Sequence, residues 1–220
     1  MIFEKEFKEY GYTDLVAYSG KDITEDMVDV CMIIDKKFYA PEYTKYSNNL
    51  KETVLKYNQM CFVFVDKVKN AIVGYSFWLP IKTKVFNAFI KSNQMLQEFR
   101  EGYFSSYKDE NINLFLASEA YVLGYDIKVL HEAVEDIFSR RILDLAYNGV
   151  KVKYIAFEAC NKFDEDFLVK NLGLSRKVKK DISTFYYDEY SPEKVYKSSK
   201  YASGIKQYYK KENNDVDKKS

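Results

Sequence analysis

Alternating apolar and polar stretches divide the first third of the chain into strands and helices. Short apolar runs at 15–18, 61–66 and 72–79 predict three strands, and the polar stretch 67–70 predicts a hairpin turn between the last two. Two amphipathic stretches lie between the first and second strands. Asp22 or Thr24 is placed to cap the first helix, and Ser47 to cap the second. The apolar positions at helical spacing are Met27, Val30, Cys31 and Ile34, then Leu50, Val54 and Tyr57.

Residues 80–112 form a long connection after the third strand. Apolar residues recur in it at about the helical period. They are Phe86, Phe89, Ile90, Leu96, Phe99 and Tyr103. Because a structureless loop of this length is uncommon in a compact domain, the pattern predicts an inserted amphipathic helix near 84–104.

The second half of the chain has the order strand, long helix, strand. Apolar runs at 114–122 and 154–159 predict the strands, and 127–147 predicts the helix, which Gly149 ends. This order predicts two parallel neighbours joined by a right-handed crossover. A ligand crevice is then expected at the carboxyl ends of the strands, near Val122 and Cys160. A shorter helix over 164–171 and a closing strand over 182–188 complete the order.

The last thirty residues differ in composition from the rest. After Pro192 the chain is rich in Lys, Ser, Asn and Asp and poor in aliphatic residues. At 220 residues the chain suits one hydrophobic core. We therefore predict one domain over residues 1–190 and a polar, disordered tail over 191–220.

Charge and cysteine content exclude several classes of protein. The formal charge is +1, from 34 basic and 33 acidic side chains, so no global field favours nucleic acid or an anionic membrane. A basic, Tyr-rich tail is the one place for a nucleic-acid contact, but a solvated tail explains it better, so no nucleic-acid partner is expected. Three widely spaced cysteines in apolar surroundings predict reduced thiols. With no signal-like or membrane-spanning run, a cytoplasmic protein without a membrane partner is expected.

Several catalytic motifs are absent from the sequence. No Walker loop, HExxH, GxSxG or zinc-finger spacing occurs, and no metal site is expected. The acidic trio Asp164, Glu165 and Asp166 lies in a predicted first helical turn, where the helix dipole stabilises negative charge. Capping therefore explains this trio better than metal binding does.

The stretch YIAFEACNKFDEDFLVKNLGL, residues 154–174, carries the most specific pattern. Asn161 follows the strand, and Gly173-Leu174 follows the short helix. Together with the element order, this stretch resembles the GNAT N-acetyltransferase superfamily over about residues 13–188. The resemblance implies an α/β fold with a mixed central sheet flanked by helices. It also implies acyl-CoA-dependent transfer, typically of acetyl, to a small-molecule or peptide amine by direct attack. The alternative is a GNAT-like binding or regulatory protein without catalysis.

In such proteins the pantetheine arm of acetyl-CoA pairs with the strand that here ends at residue 122, and the pyrophosphate lies at the next helix N-terminus. The positions that the resemblance assigns to acetyl-CoA are Ala120, Tyr121, Val122, Gly124, Lys128 and Asn161. The usual glycine-rich loop is reduced to Gly124. Asp126, as an N-cap, would occupy N–H donors and place a negative charge beside the phosphates.

Catalytic positions also follow from the resemblance. Glu119 on the cofactor strand is the candidate general base, and Glu158 is a second candidate. The position four residues before Gly173, where many relatives have an acidic Tyr, is Val169, so Tyr186 or Tyr187 is the substitute. His131, the single histidine, is either a phosphate donor or base, or a partly buried structural residue.

Overall fold

The computed structural model describes residues 1–38, 47–92, 100–122, 124–125, 127–159, 165–166, 169, 172–181 and 183–217. Eight strands form one mixed sheet in the order β1-β2-β3-β4-β5-β6-β8-β7. All pairs are antiparallel except β5 with β6, which is parallel. The strands are β1 Ile2–Phe3, β2 Leu15–Ser19, β3 Cys61–Asp66, β4 Ala71–Ile81, β5 Asn111–Tyr121, β6 Lys151–Ala159, β7 Arg176–Lys179 and β8 Thr184–Glu189.

Helices cover both faces of this sheet. They are α1 Lys5–Glu9, α2 Glu25–Phe38, α3 Ser47–Lys56, α4 Thr83–Lys91, α5 Ile127–Tyr147 and α6 Ala202–Asp217. One apolar core contains side chains of α1, α5 and α6, and we call that side of the sheet the α5 face. The other core contains side chains of α2, α3 and α4, and we call it the α2 face. Among the described residues, no helix has both the length and the apolar content needed to span a bilayer.

The periodic elements of the sequence are confirmed. The β3–β4 hairpin, the helix over 127–147 and the parallel strands on either side of it all form as predicted. Thr24 caps α2, because its Oγ1 accepts the Met27 N–H at 3.3 Å. Val30 is an exception on that helix, since its side chain is 41% exposed and does not face the core. The sequence pattern did not reveal the short elements β1, α1 and β7.

The helix predicted after the third strand is present but shorter than expected. It forms α4, which ends at Lys91, and Glu101–Tyr103 is a separate turn of 3₁₀ helix; residues 93–99 lie outside the described residues. Most of the short helix predicted at 164–171 also lies outside them. Gly173 has φ +62°, and its N–H donates to the carbonyl of Val169, as at a helix C-terminus.

The prediction of a solvated tail after residue 190 is wrong for the described part of that segment. Val195, Tyr196 and Ile205 are at most 2% exposed and belong to the α5-face core. The Tyr209 hydroxyl accepts the Val152 N–H at 2.9 Å, which ties α6 to β6. Low aliphatic content was misleading, because tyrosines and a few aliphatic residues supply the buried area.

Polar contacts fix the same segment to α5 and α1. The Asp136 carboxylate, 1% exposed, accepts the Ser199 hydroxyl at 2.7 Å and the Lys200 N–H at 3.1 Å. The Glu6 carboxylate accepts Arg140 at 2.6 Å and the Tyr201 hydroxyl at 3.3 Å. Since a buried carboxylate is costly unless it is hydrogen-bonded, α5 and α1 both depend on the C-terminal segment.

We expect Ile205→Ala to lower the free energy of unfolding by about 2–5 kcal/mol, because it removes a fully buried aliphatic side chain. Urea denaturation measures this loss. Lys197→Ala, in the same segment but exposed, is the matched control and should stay within about 0.5 kcal/mol of the parent. Equal denaturation midpoints for the parent and a chain ending at Ser191 would show that the segment contributes nothing.

Candidate functional site

A wedge opens between the two parallel strands. β5 and β6 pair only as far as Leu116 and Phe157. Beyond that point β5 stays paired with β4 to Tyr121, whereas β6 stays paired with β8 to Ala159. The described ladder therefore leaves the facing edges of β5 and β6 without a partner strand, so each has backbone groups able to pair with a ligand.

A β-bulge marks the point where the strands separate. Leu116 pairs with Trp78 and Ser118 pairs with Phe77, so Ala117 is the extra residue on β5. A bulge bends its strand and re-aims the side chains beside it. After the bulge, Ser118 contacts α2-face residues and Glu119 contacts α5-face residues. Two polar side chains thus leave the vertex of the wedge in opposite directions.

The residues assigned to acetyl-CoA fall only partly within the described structure. Ala120 and Tyr121 lie on the part of β5 that has no second partner strand in the described ladder, and the Val122 N–H donates to the Val73 carbonyl at 2.8 Å. Gly124, with φ +112°, lies in the turn before α5. Lys128 is in the first turn of α5, but its side chain is outside the description. Asn161 and Asp126 are also outside the described residues.

A polar anchor holds the turn before α5 against the β3–β4 hairpin. The Tyr125 hydroxyl donates to Asp66 at 2.6 Å, and the Lys69 ammonium donates to that hydroxyl at 3.0 Å. The Tyr125 hydrogen bond and the Lys69 N–H lower the pKa of Asp66 to about 2. The start of α5 is therefore placed by a charged anchor rather than by a run of glycines.

Glu119 faces the α5 side of the wedge. Its Oε2 accepts the Ser76 hydroxyl at 2.6 Å, and the Trp78 indole N–H donates to the Ser76 oxygen at 3.0 Å. Burial raises the pKa of Glu119, while His131 and the Ser76 hydrogen bond act in the opposite direction. The net effect is a higher affinity of this carboxylate for a proton, which is the direction that suits a general base.

His131 and Tyr196 enclose Glu119 from α5 and the C-terminal segment. His131 is 4% exposed, its Nδ1 lies 3.4 Å from Glu135, and its ring centroid is 5.7 Å from that of Tyr196. Tyr196 is 1% exposed and has the unusual φ of +48°. Burial raises the pKa of Tyr196, and the negative charge on Glu119 adds to this. These contacts support the structural interpretation of His131, because its ring lies within the packed α5 face.

The two tyrosines considered as acids lie on β8, on opposite faces of the sheet. Tyr186 stacks on Phe157 at 5.3 Å, and its hydroxyl donates to Glu165. Burial and this hydrogen bond raise the pKa of Tyr186 to about 12, which weakens it as an acid. Tyr187 packs against Phe86 on the α2 face, with ring centroids 5.9 Å apart.

Glu158, the second candidate base, lies near the end of β6. The Glu158 carboxylate accepts the Ser183 hydroxyl at 2.6 Å, at the end of β6. Within the described ranges, no group of three or more His, Cys, Asp or Glu residues is arranged to hold a metal ion. Cys31 and Cys61 are buried free thiols, as expected from their surroundings.

Sequence reasoning missed a carboxylate on the α2 face. Asp35, 8% exposed, accepts the Tyr75 hydroxyl through Oδ1 at 2.6 Å, and the Ser118 hydroxyl donates to the same oxygen. The sequence did contain a signal, since Asp35 continues the buried stripe formed by Val28, Cys31 and Met32. An acidic residue on an apolar stripe is unusual and points to a buried polar contact.

The order of elements, the bulged β5 and its splaying from a single parallel partner together decide the architecture. This is a divergent GNAT fold. The mixed sheet flanked by helices is confirmed. The described turn before α5 contains Gly124, and the C-terminal segment packs on the α5 face.

Solved structures of acetyltransferases are similar at low sequence identity. Naa50 of Arabidopsis thaliana, in complex with the bisubstrate analogue CoA-Ac-MVNAL, is 8% identical with a TM-score of 0.49 and covers 80% of this chain and 99% of its own. A GNAT-family acetyltransferase of Listeria monocytogenes is 9% identical, with a TM-score of 0.49 and coverages of 80% and 95%. The ribosomal-protein-S5-alanine acetyltransferase of Vibrio fischeri is 10% identical, with a TM-score of 0.47 and coverages of 86% and 96%.

Sequence comparisons found no counterpart. No family profile matches the chain, and no curated protein does. The divergence of this GNAT fold is therefore large at the level of sequence.

We expect Gly74→Ala to destabilise the end of β5. A Cβ at Gly74 would lie 2.8 Å from the Tyr121 ring and 2.9 Å from the Ala120 carbonyl oxygen, so the candidate cofactor strand must shift. Overpacking of this kind costs about 1–3 kcal/mol, which thermal denaturation detects. Gly102→Ala is the matched control, because nothing lies within 4 Å of its added Cβ. If both variants melt with the parent, the two strands are not closely packed there.

Proposed function

We propose that this protein is an acyl-CoA-dependent N-acyltransferase that transfers an acyl group, typically acetyl, to an amine by direct attack. The observation that carries the proposal is the wedge at Ala117, where β5 leaves its parallel partner and, in the described ladder, continues with a partner strand on one edge only. An extended ligand rich in amides, such as pantetheine, is the chemical class that pairs with such an edge.

The wedge supplies the positioning that acyl transfer needs. An arm paired along Ala120 and Tyr121 would place its thioester near the bulge, where backbone N–H groups polarise the carbonyl. Holding the thioester and an amine in one crevice converts a bimolecular reaction into an effectively unimolecular one. The nitrogen–carbon bond forms, the carbon–sulfur bond breaks, and the proton of the amine passes to a carboxylate beside the vertex.

The remaining residues of the proposal either bind acetyl-CoA or transfer protons. We assign Val122, Gly124, Lys128 and Asn161 to the cofactor, with the pyrophosphate at the start of α5. Glu119 and Tyr186 stay candidates for base and acid. The Tyr186 hydroxyl already donates to Glu165, so a shift of that hydrogen bond would have to precede any proton transfer to a thiolate.

A GNAT-fold binding or regulatory protein without catalysis is the second candidate. The observation that favours it is the start of α5, which has one glycine and is anchored to the hairpin through Tyr125 and Asp66. Such a turn offers phosphates less freedom of approach than a glycine-rich loop. The two candidates differ in one measurable property, the release of free CoA in the presence of an amine.

We expect acetyl-CoA to raise the melting temperature, because a ligand that binds only the native state stabilises it by about 2.7 kcal/mol at 100 times Kd. Calorimetry with acetyl-CoA, acetyl-pantetheine and adenosine 3′,5′-bisphosphate separates the arm from the phosphates. Since the wedge is the better-formed half of the site, acetyl-pantetheine should bind more tightly than the bisphosphate.

The outcomes separate the candidates. Binding with thiol release to an amine supports the acyltransferase, and binding without release supports the binding protein. If none of the three ligands binds at millimolar concentration, the acyl-CoA assignment is wrong, whereas the GNAT fold is unaffected.

A further inference from the structure

The strongest unassigned feature is the carboxylate of Asp35 together with the two hydroxyls that hold it. Asp35 lies on the buried stripe of α2, and the Tyr75 and Ser118 hydroxyls both donate to its Oδ1. Those two hydroxyl oxygens are themselves 3.2 Å apart. The cluster links three elements, α2, β4 and β5, at one point of the α2 face.

This point is the vertex of the wedge. Ser118 directly follows the bulged residue Ala117 and is the first β5 residue to pair with β4 beyond the splay. A hydrogen bond from Ser118 therefore fixes Asp35 beside the place where the β5 edge becomes available. No residue elsewhere on α2 is tied to the vertex in this way within the described part of the chain.

The two oxygens of Asp35 have different environments. Oδ1 accepts both hydroxyls, while Oδ2 has no hydrogen-bond partner among the residues that the structure describes. A carboxylate at 8% exposure is costly to bury, and two donors on one oxygen offset part of that cost. Oδ2 is thus an acceptor in a fixed position with capacity for a ligand N–H.

We propose that Asp35 is the carboxylate that receives the proton of the acceptor amine, with Tyr75 and Ser118 as positioning residues. The proposal rests on the proposed acyl transfer. The amine nitrogen bonds to the thioester carbon, its proton passes to Asp35 Oδ2, and the carbon–sulfur bond breaks to release the CoA thiolate. The proton then leaves Asp35 for the thiolate or solvent, which restores the carboxylate.

Geometry favours Asp35 over Glu119 for this role. Glu119 faces the α5 side, where the nearly buried His131 and Tyr196 pack around it and Ser76 occupies its Oε2. Asp35 lies on the opposite face of the sheet, where its Oδ2 has no hydrogen-bond partner among the described residues.

The ionisable neighbours of Asp35 are few. Tyr75 on β4 donates to it, and Cys31, one turn earlier on α2, has its pKa raised by burial and by the charge of Asp35. The contact from β5 is the hydroxyl of Ser118, which does not titrate in this range. The expected mark of this carboxylate is an acid limb in the pH dependence of kcat/KM that Asp35→Asn removes.

The experiment measures thiol release from acetyl-CoA with three amine probes, hydroxylamine, spermidine and an alanyl peptide. Asp35→Asn keeps an oxygen for both hydroxyls but cannot accept the proton, so kcat/KM should fall about 100-fold or more while acetyl-CoA affinity stays near that of the parent. Asp26→Asn is the matched control, since it makes the same change on the exposed side of α2.

Tyr75→Phe separates a catalytic role of this cluster from a structural one. A purely structural role would leave the pH dependence of kcat/KM unchanged. Removing a donor leaves the ionised carboxylate with one hydrogen bond fewer, so an acid limb of kcat/KM that belongs to it should move to higher pH. This variant also keeps the proposal testable if Asp35→Asn does not fold.

Each result decides the matter. Loss of the acid limb in Asp35→Asn, or its upward shift in Tyr75→Phe, supports the proposal. Parent-like kcat/KM and pH dependence in both variants overturn it while leaving the acyltransferase intact, as does loss of the limb in Glu119→Gln alone. If the parent releases no thiol with any probe, the acyltransferase and the role of Asp35 are both wrong.

Discussion

The bulge at Ala117 is the constraint on which the candidate site depends. One extra residue on β5 breaks the register with β4 at the same place where pairing with β6 stops. Beyond this place, β5 has a partner strand on one edge only in the described ladder. Strand edges of this kind are usually covered or blocked in native proteins.

The same bulge sorts the polar side chains of β5. Ser118 turns to Asp35 and Tyr75 on the α2 face, whereas Glu119 turns to Ser76 and His131 on the α5 face. Two carboxylates therefore flank the vertex in unlike environments. Asp35 has two hydroxyl donors on one oxygen, and burial raises the pKa of Glu119.

The C-terminal segment completes the α5 face. Tyr196 closes over His131, and Ser199 and Lys200 satisfy the buried Asp136. Since α5 begins next to the proposed phosphate site, the segment contributes to the rigidity of that site as well as to stability.

The sequence by itself determined the elements whose apolar periodicity is strong. The helix over 127–147, the hairpin and the parallel strand pair follow from patterns that burial enforces locally, and they fix the mixed α/β sheet. The resemblance also predicted Glu119 as a site residue and the strand segment after it as the segment that pairs with the cofactor. Short elements such as β1 and β7 have too few residues to show a period.

Tertiary structure alone decided the bulge, the partners of the two carboxylates and the packing of residues 191–209. Asp35 and Ser118 are 83 positions apart, and composition cannot reveal such a contact. The low aliphatic content after Pro192 indicated a tail, yet Val195, Tyr196 and Ile205 are buried because α5 and α1 present an apolar surface and carboxylates that need partners. Burial of that segment depends on a surface formed elsewhere in the chain, and local sequence carries no record of it.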